Sequence, residues 1–154
     1  HQSYAPRLQR HGTVNADGWG IGWFADASGG HPARHRSARP IWADPFVGDV
    51  APHVRSTSVV AAVRSATPPT PIEETGAAPF TDGTILFSHN GAVEFVAHRV
   101  GPLLRRTLAP EIEGAIAAAT DSEVVFACIR QAQRTGSPLS GRGLSCTRTV
   151  RNEG

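Results

Sequence analysis

The stretch Thr84-Ile85-Leu86-Phe87-Ser88-His89-Asn90-Gly91 is the part of the sequence around which the rest is organised. It begins with a β-branched and aromatic run, which is typical of a short strand. It ends in Asn-Gly, the strongest short-range hairpin signal, and favours a type I′ turn between Thr84–Ser88 and Ala92–Ala97. A chemical interpretation stays open beside the turn, because the Asn90 amide and the Gly91 N–H are two donors, enough for an oxyanion hole.

The composition limits the class of protein to one globular domain with a sizeable core, since the chain has 154 residues. The formal net charge is +2, and all 15 basic residues are Arg, scattered along the chain. A nucleic-acid-binding protein would show a clustered basic footprint, so this class is excluded. Cys128 and Cys146 lie far apart in unlike contexts and predict neither a disulfide framework nor a zinc site. No metal and no cofactor are predicted.

The ends of the chain and its hydropathy bear on location and processing. No segment has the length of a membrane span, and the first residues lack the shape of a signal peptide. A reducing, cytoplasmic setting is therefore predicted. The sequence contains no Met, so we expect the chain to be a processed product or a fragment.

Three segments carry the clearest secondary-structure signals. Asp17–Phe24 combines a turn signal with a strand whose glycines suit close backbone packing, and Ser58–Val63 is a short apolar run typical of a buried strand. Thr120–Glu123 has the form of a capping box, and the apolar stripe behind it predicts a helix that ends at Gly136. The remaining predictions are an exposed hairpin loop over Ala27–Pro40, a helix that begins at Asp44-Pro45, an Ala-rich helix over Glu111–Ala119, a helix over Glu94–Leu108 that Gly101-Pro102 breaks or kinks, and no element from Ser140 onward.

Two charged residues lie at the ends of predicted elements, where a ligand could be bound. Arg64 comes directly after the second strand; an Arg there usually belongs to an ion pair, and a bidentate clamp for a carboxylate is the alternative. Asp121 lies in the first turn of a helix, where the cap and the dipole favour an acid, and it could also hold an ammonium group. Together they would grip an amino acid, while Asn90 and Gly91 stabilise charge on its reacting carbonyl.

Other reactive side chains have simpler interpretations. His31 and His35 have the spacing of a metal pair only in a helix, which Pro32 disfavours, so a solvated loop is predicted. His89 is either a general base or a structural hydrogen-bonding residue at the end of a strand. Cys128 falls within an apolar helix and is predicted to be a core residue.

Four motifs occur in an order that resembles the class II glutamine amidotransferases, which are N-terminal-nucleophile enzymes. They are Asn15-Ala16-Asp17-Gly18-Trp19-Gly20-Ile21-Gly22-Trp23, Arg64-Ser65-Ala66-Thr67, Ser88-His89-Asn90-Gly91 and Thr120-Asp121-Ser122-Glu123. Each motif alone is weak, but four in order are fairly specific. The resemblance covers roughly His1 to Thr135 and implies an incomplete αββα four-layer sandwich of the α+β class.

A closer resemblance is to the ergothioneine-pathway amidohydrolases of this family, which remove the γ-glutamyl group from γ-glutamyl-hercynylcysteine S-oxide. Gln2–Pro6, Arg36–Trp42 and Ile72–Glu74 carry it. The resemblance implies a small-molecule γ-glutamyl substrate, with no nucleic-acid or membrane partner. Two alternatives stay open: a glutaminase domain that passes ammonia to a partner synthetase, and a catalytically dead fragment that still binds a γ-glutamyl group.

The resemblance also implies a role for each of four residues. Arg64 would bind the α-carboxylate of the γ-glutamyl unit and Asp121 its α-amino group, while Asn90 and Gly91 would form the oxyanion hole. The nucleophile of the family is an N-terminal Cys whose own α-amino group acts as base. This sequence begins with His1, so we expect a chain truncated at both ends, with a partial amidotransferase domain over 1–139 and an unstructured or aberrant tail over 140–154.

Overall fold

The computed structural model describes residues 14–25, 29–66, 70–91, 101–118 and 120–136, together with the backbone of 146–147. This part of the chain combines antiparallel strands with short helices, which confirms the predicted α+β class. The strands are β1 (Trp19–Phe24), β2 (Pro32–Ser37), β3 (Val59–Val63), β4 (Phe80–Thr81), β5 (Leu86–Phe87) and β6 (Cys146–Thr147). The helices are α1 (Pro45–Asp49), α2 (Gly101–Thr107), α3 (Pro110–Glu113) and α4 (Asp121–Thr135).

The first sheet has the order β2-β1-β3, with β1 antiparallel to both neighbours. The glycines of β1 point toward the second sheet: a Cβ on Gly22 would lie 2.7 Å from Leu86 Cδ2, and one on Gly20 would collide with the Ala78 carbonyl oxygen. Side chains of ordinary size would hold the two sheets further apart. The predicted strand with close packing at its glycines is therefore confirmed.

Two predictions about the edges of this sheet are wrong. The expected exposed loop over Ala27–Pro40 contains strand β2, which pairs with β1 along its full length. The strand was not predicted because its residues are polar. Two guanidinium groups hold it in place: Arg34 Nη1 donates to Pro79 O (3.2 Å) and Arg36 Nη1 donates to Thr75 O (2.8 Å). Val59–Val63 is a strand as expected but is not buried, because every second side chain of β3 (Val59, Ala61 and Val63) is exposed and the others are only partly buried.

The second sheet has the order β4-β5-β6, and its central strand carries the core. Phe87 on β5 stacks on Phe126 of α4 with ring centroids 5.4 Å apart. Because β4 and β6 occupy both edges of β5, the predicted hairpin partner Ala92–Ala97 cannot pair with it, and the hairpin prediction is wrong for Leu86–Phe87. Residues 92–100 themselves lie outside the described chain.

The same sheet bears on the predicted tail after residue 139. Cys146–Thr147 forms a two-residue strand against β5, contrary to the expectation of no element from Ser140 onward. The other residues of 137–154 lie outside the described chain. The domain boundary at residue 139 stays a prediction.

Two helices, α1 and α4, begin where the sequence indicates. The helix predicted over Glu111–Ala119 is wrong beyond Glu113, because α3 covers only Pro110–Glu113 and the N–H groups of Ala117 and Ala118 donate to the Glu123 carboxylate. Asp44 caps α1 by accepting a hydrogen bond from Phe46 N (3.0 Å), with Pro45 in the first turn. Helix α2 is described from Gly101 onward, and residues 92–100 before it lie outside the described chain. Helix α4 runs from its N-cap Thr120 to Gly136, which adopts φ 67° as the predicted C-cap. None of the helices among the described residues is long and apolar enough to cross a membrane.

Candidate active site

Arg64 is positioned by the motif that precedes β1. Its N–H donates to Gly18 O (2.8 Å) and its carbonyl accepts from Asp17 N (3.0 Å). The Asp17 carboxylate in turn accepts from Ala66 N (2.8 Å). Two motifs that are about 50 residues apart in the sequence thus form one hydrogen-bonded unit, which fixes the backbone on both sides of Arg64.

The Arg64 guanidinium lies against Gly76 and is only partly satisfied. Its Nη2 donates to Pro71 O (3.1 Å), while Nη1 is buried and has no hydrogen-bond partner among the described residues. Burial lowers the pKa of Arg64, and the nearby Asp17 and Glu73 carboxylates oppose that change. A buried charged donor without a partner is costly, and a carboxylate ligand would satisfy it.

Asp121 occupies the first position of α4, at the positive end of the helix dipole. Thr120 caps this helix by accepting from Glu123 N (3.2 Å). The Asp121 Oδ1 atom accepts from Ser122 N (2.8 Å) and lies 3.4 Å from Ser122 Oγ. The carboxylate is therefore held by the backbone of the helix terminus, which keeps its negative charge in a fixed place.

The expected oxyanion residues lie on an exposed turn that follows β5. Gly91 has φ 138°, a conformation that favours glycine. His89, one residue before Asn90, places Nδ1 3.1 Å from Ser122 Oγ. This hydrogen bond connects the segment that leads into the turn with the first turn of α4, which begins at Asp121.

Arg64 is held through a different set of contacts, with Pro71, Gly18 and Gly76. A joint site of Arg64 with Asn90, Gly91 and Asp121 stays a prediction. Sequence reasoning missed Ser122, because a Ser in the first turn of a helix normally indicates only capping. Its partner His89 is 33 residues away, and no local pattern connects the two.

The predicted capping box is half confirmed. Thr120 plays its expected part, but the Glu123 carboxylate accepts from Ala117 N (3.0 Å) and from Ala118 N. Glu123 is 7% exposed. It therefore fixes the loop before α4 to the helix, a structural role that supports the position of Asp121.

A polar cavity of about 120 Å³ lies beside Glu123 and does not include the four predicted residues in its lining. Arg34 and Arg36 line it, and burial lowers the pKa of both guanidinium groups. The positive charge of Arg36 lowers the pKa of Arg34 further. The Glu74 and Glu123 carboxylates oppose these changes by raising the pKa of both arginines. The cavity is also lined by Phe80, Thr81, Ile112, Ala115, Ile116, Ala117, Phe126, Ala127 and Arg130. Three of its charged lining residues are basic (Arg34, Arg36 and Arg130) and one is acidic (Glu123), so the lining is net positive.

The two histidines of the possible metal pair have separate contacts. His31 Nδ1 lies 2.8 Å from Gly83 O, whereas His35 on β2 stacks on Phe46 with ring centroids 3.8 Å apart. Their placement in a loop is wrong for His35, which lies in the strand. Cys128 packs partly buried against the cluster around Leu108, as predicted for a core residue, and burial raises its pKa.

A family model and several similar proteins of known family were compared with this chain. A family model described as class-II glutamine amidotransferases matches residues 2–150. Gamma-glutamyl-hercynylcysteine sulfoxide hydrolases from Mycobacterium tuberculosis and Mycolicibacterium smegmatis are 52% and 48% identical, over 66% and 83% of this chain and over 42% and 50% of their own lengths. A probable glutamine amidotransferase from Saccharomyces cerevisiae, DUG3, is 30% identical over 79% of this chain and 34% of its own.

A solved structure shares the fold. A glutamine aminotransferase class-II domain protein from Silicibacter pomeroyi matches 71% of this chain and 44% of its own, with a TM-score of 0.55 and 30% identity. This likeness agrees with the predicted αββα sandwich. The chain spans about half the length of the two mycobacterial hydrolases that it matches.

Proposed function

This chain belongs to the class II glutamine amidotransferases, and we propose that the protein containing it hydrolyses a γ-glutamyl amide and releases glutamate. We propose γ-glutamyl-hercynylcysteine sulfoxide as the substrate, because two relatives about 50% identical to the chain carry that substrate in their names. The observation that carries the role of this chain is the buried Nη1 of Arg64, which has no partner among the described residues.

Recognition of the substrate would depend on two opposite charges. Arg64 would receive the α-carboxylate, which supplies the acceptor that its Nη1 lacks. Asp121 would receive the α-ammonium group at the N-terminus of α4, where Ser122 N already orients the Asp121 carboxylate. Both contacts involve the head group shared by every γ-glutamyl compound, so they would select the glutamyl part and not the leaving amine.

The turn after β5 would act on the reacting amide. When a nucleophile adds to the γ-carbonyl carbon, the carbonyl oxygen gains negative charge, and the Asn90 amide with the Gly91 N–H would donate to it. Collapse of this intermediate breaks the C–N bond, the leaving amine takes a proton, and the acyl group stays on the nucleophile until water hydrolyses it. The family resemblance implies an N-terminal Cys as nucleophile, whereas residue 1 of this sequence is His.

The experiment measures glutamate release from the γ-glutamyl substrate by the full-length protein, including any residues encoded before His1. Asn90→Ala should lower kcat by about a hundredfold, because one oxyanion donor is lost. Arg64→Ala should mainly raise KM, because the carboxylate contact is present in the ground state and in the transition state alike.

The matched control is Arg55→Ala, since Arg55 is exposed and, within the described part of the chain, donates to the nearby carbonyls of Pro52 and Val54. It should keep both kinetic constants. Wild-type kcat in Asn90→Ala would contradict the proposed oxyanion hole. Binding of L-glutamate by calorimetry without any turnover would identify the chain as a γ-glutamyl-binding fragment instead.

A further inference from the structure

His89 and Ser122 form the link between the turn that carries Asn90 and Gly91 and the helix that begins at Asp121. His89 Nδ1 lies 3.1 Å from Ser122 Oγ, and both side chains are partly buried. Neither side chain has a role in the function proposed above. Their contact nevertheless joins the two halves of the site that are predicted to act on different ends of the substrate.

The direction of this link follows from the chemistry of its three members. An ionised Asp121 carboxylate can only accept, so the Ser122 hydroxyl donates its proton toward Asp121 Oδ1 across a long contact of 3.4 Å. With the His89 ring in its Nδ1–H tautomer, the Ser122 oxygen accepts from Nδ1–H. The hydroxyl is thus the centre of a chain from imidazole to carboxylate, and its removal breaks both contacts at once.

The imidazole also lies beside Gly91. A Cβ on Gly91 would stand 3.6 Å from His89 Nε2 and 3.8 Å from Cε1, so the ring covers the side of Gly91 toward which a side chain would point. Gly91 has no side chain of its own to fix its peptide, and its φ of 138° is freely accessible only to glycine. The ring, anchored on Ser122, therefore limits how the turn moves.

Both anchors of this link are rigid. On one side, β5 is buried, with Leu86 and Phe87 each 1% exposed. On the other side, α4 is capped by Thr120 and packs Phe126 into the core. Within the described residues, His89 connects the turn after β5 to α4.

We propose that His89 and Ser122 are a positioning pair, which holds the oxyanion turn of Asn90 and Gly91 against the N-terminus of α4. This inference rests on the proposed function. Preorganised donors matter most when charge develops in the transition state, whereas Asp121 keeps its backbone contact from Ser122 N without the hydroxyl. Loss of the pair therefore lowers kcat and leaves KM nearly unchanged.

The test measures glutamate release by the full-length protein and by Ser122→Ala, Ser122→Thr, His89→Ala and the double alanine variant. Ser122→Ala should lower kcat by about tenfold, less than the loss of a donor itself, with KM within about threefold. Ser122→Thr keeps the hydroxyl and should restore most of kcat. The double variant should lose no more than the worse single variant, because the two residues act through one hydrogen bond. His53→Ala, at an exposed histidine, is the matched control.

Two results separate this inference from the proposed function. If the wild type releases no glutamate, the proposed function fails, and the positioning role in that reaction fails with it. If the wild type is active and Ser122→Ala keeps its kcat, or multiplies its effect with that of His89→Ala, the positioning role alone is overturned. Equal losses of kcat in Ser122→Ala and Ser122→Thr would also overturn it, because the hydroxyl would then be irrelevant.

The link can also be measured without catalysis. In amide NMR spectra of the 154-residue chain, Ser122→Ala should shift the Gly91 resonance, and Ser122→Thr should leave it near its wild-type position. An unchanged Gly91 resonance in a folded Ser122→Ala variant would show that the hydroxyl does not constrain the turn. That result would refute the positioning pair whatever the activity of the protein.

Discussion

Replacing Gly76 by Ala would test the binding role of Arg64 without changing Arg64 itself. Gly76 is buried, and its φ lies outside the left-handed region, so an alanine backbone is tolerated there. The added Cβ would stand 3.0 Å from both Arg64 Cζ and Nη2, and 3.2 Å from Nη1. Because carbon contacts are optimal from about 3.5 Å, the guanidinium must move by roughly half an ångström.

The expected magnitude follows from the geometry of a bidentate pair. A displacement of this size misaligns one of the two hydrogen bonds to a carboxylate, and a hydrogen bond to a charged group contributes about 1.5–3 kcal/mol. At the lower end this weakens binding by about tenfold. We therefore expect Gly76→Ala to raise KM about tenfold and to leave kcat within about twofold, since the carboxylate is remote from the reacting carbonyl.

The assay is glutamate release at varied substrate concentration, combined with calorimetry of L-glutamate binding. Gly48→Ala is the control, because Gly48 lies on α1 with nothing within 4 Å of an added Cβ. Thermal unfolding of both variants verifies that each is folded. Wild-type KM and wild-type glutamate affinity in Gly76→Ala would refute the assignment of the α-carboxylate to Arg64.

Two further predictions concern stability. Burial raises the pKa of Asp44, but hydrogen bonds from Ser37, Phe46 N, Trp19 and His35 outweigh it and lower this pKa from 3.8 to about 2. The ionised carboxylate therefore stabilises the fold fully above about pH 4, and this stabilisation is lost as the pH falls through 2. The free energies of unfolding of wild type and Asp44→Asn, measured with denaturant, should therefore converge in acid. A difference between them that stays constant from pH 2 to 7 would contradict this. Gly22→Ala would place a methyl group 2.7 Å from Leu86 Cδ2 and should lower the free energy of unfolding by about 1–3 kcal/mol, which an unchanged melting temperature would disprove.

The strands and helix ends that sequence predicted correctly have local causes. Alternating large residues and glycines indicate strand β1, and Thr120 at the start and Gly136 at the end indicate helix α4. Strand β2 could not be recognised, because Arg34 and Arg36 find their carbonyl partners 45 and 39 residues away. Its stability comes from tertiary contacts and not from its own pattern.

The candidate site also combines features that the local sequence indicates with features that only tertiary contacts determine. Residue type and position identified Arg64, Asn90 and Asp121 as candidates, since a guanidinium, an amide and a carboxylate each suit one part of a γ-glutamyl group. Sequence could not show that Arg64 rests on Gly76 or that His89 contacts Ser122, because both contacts depend on the packing of separate elements. These contacts now decide which variants are informative.

Strand β3 has a consequence for handling the isolated chain. In the described part of the protein it lies at the edge of its sheet, and Val59 and Val63 are 49% and 37% exposed. Free backbone groups beside a row of apolar side chains form a template on which another strand can add. Self-association of the purified chain should therefore rise with protein concentration, through a strand whose last residue, Val63, directly precedes Arg64.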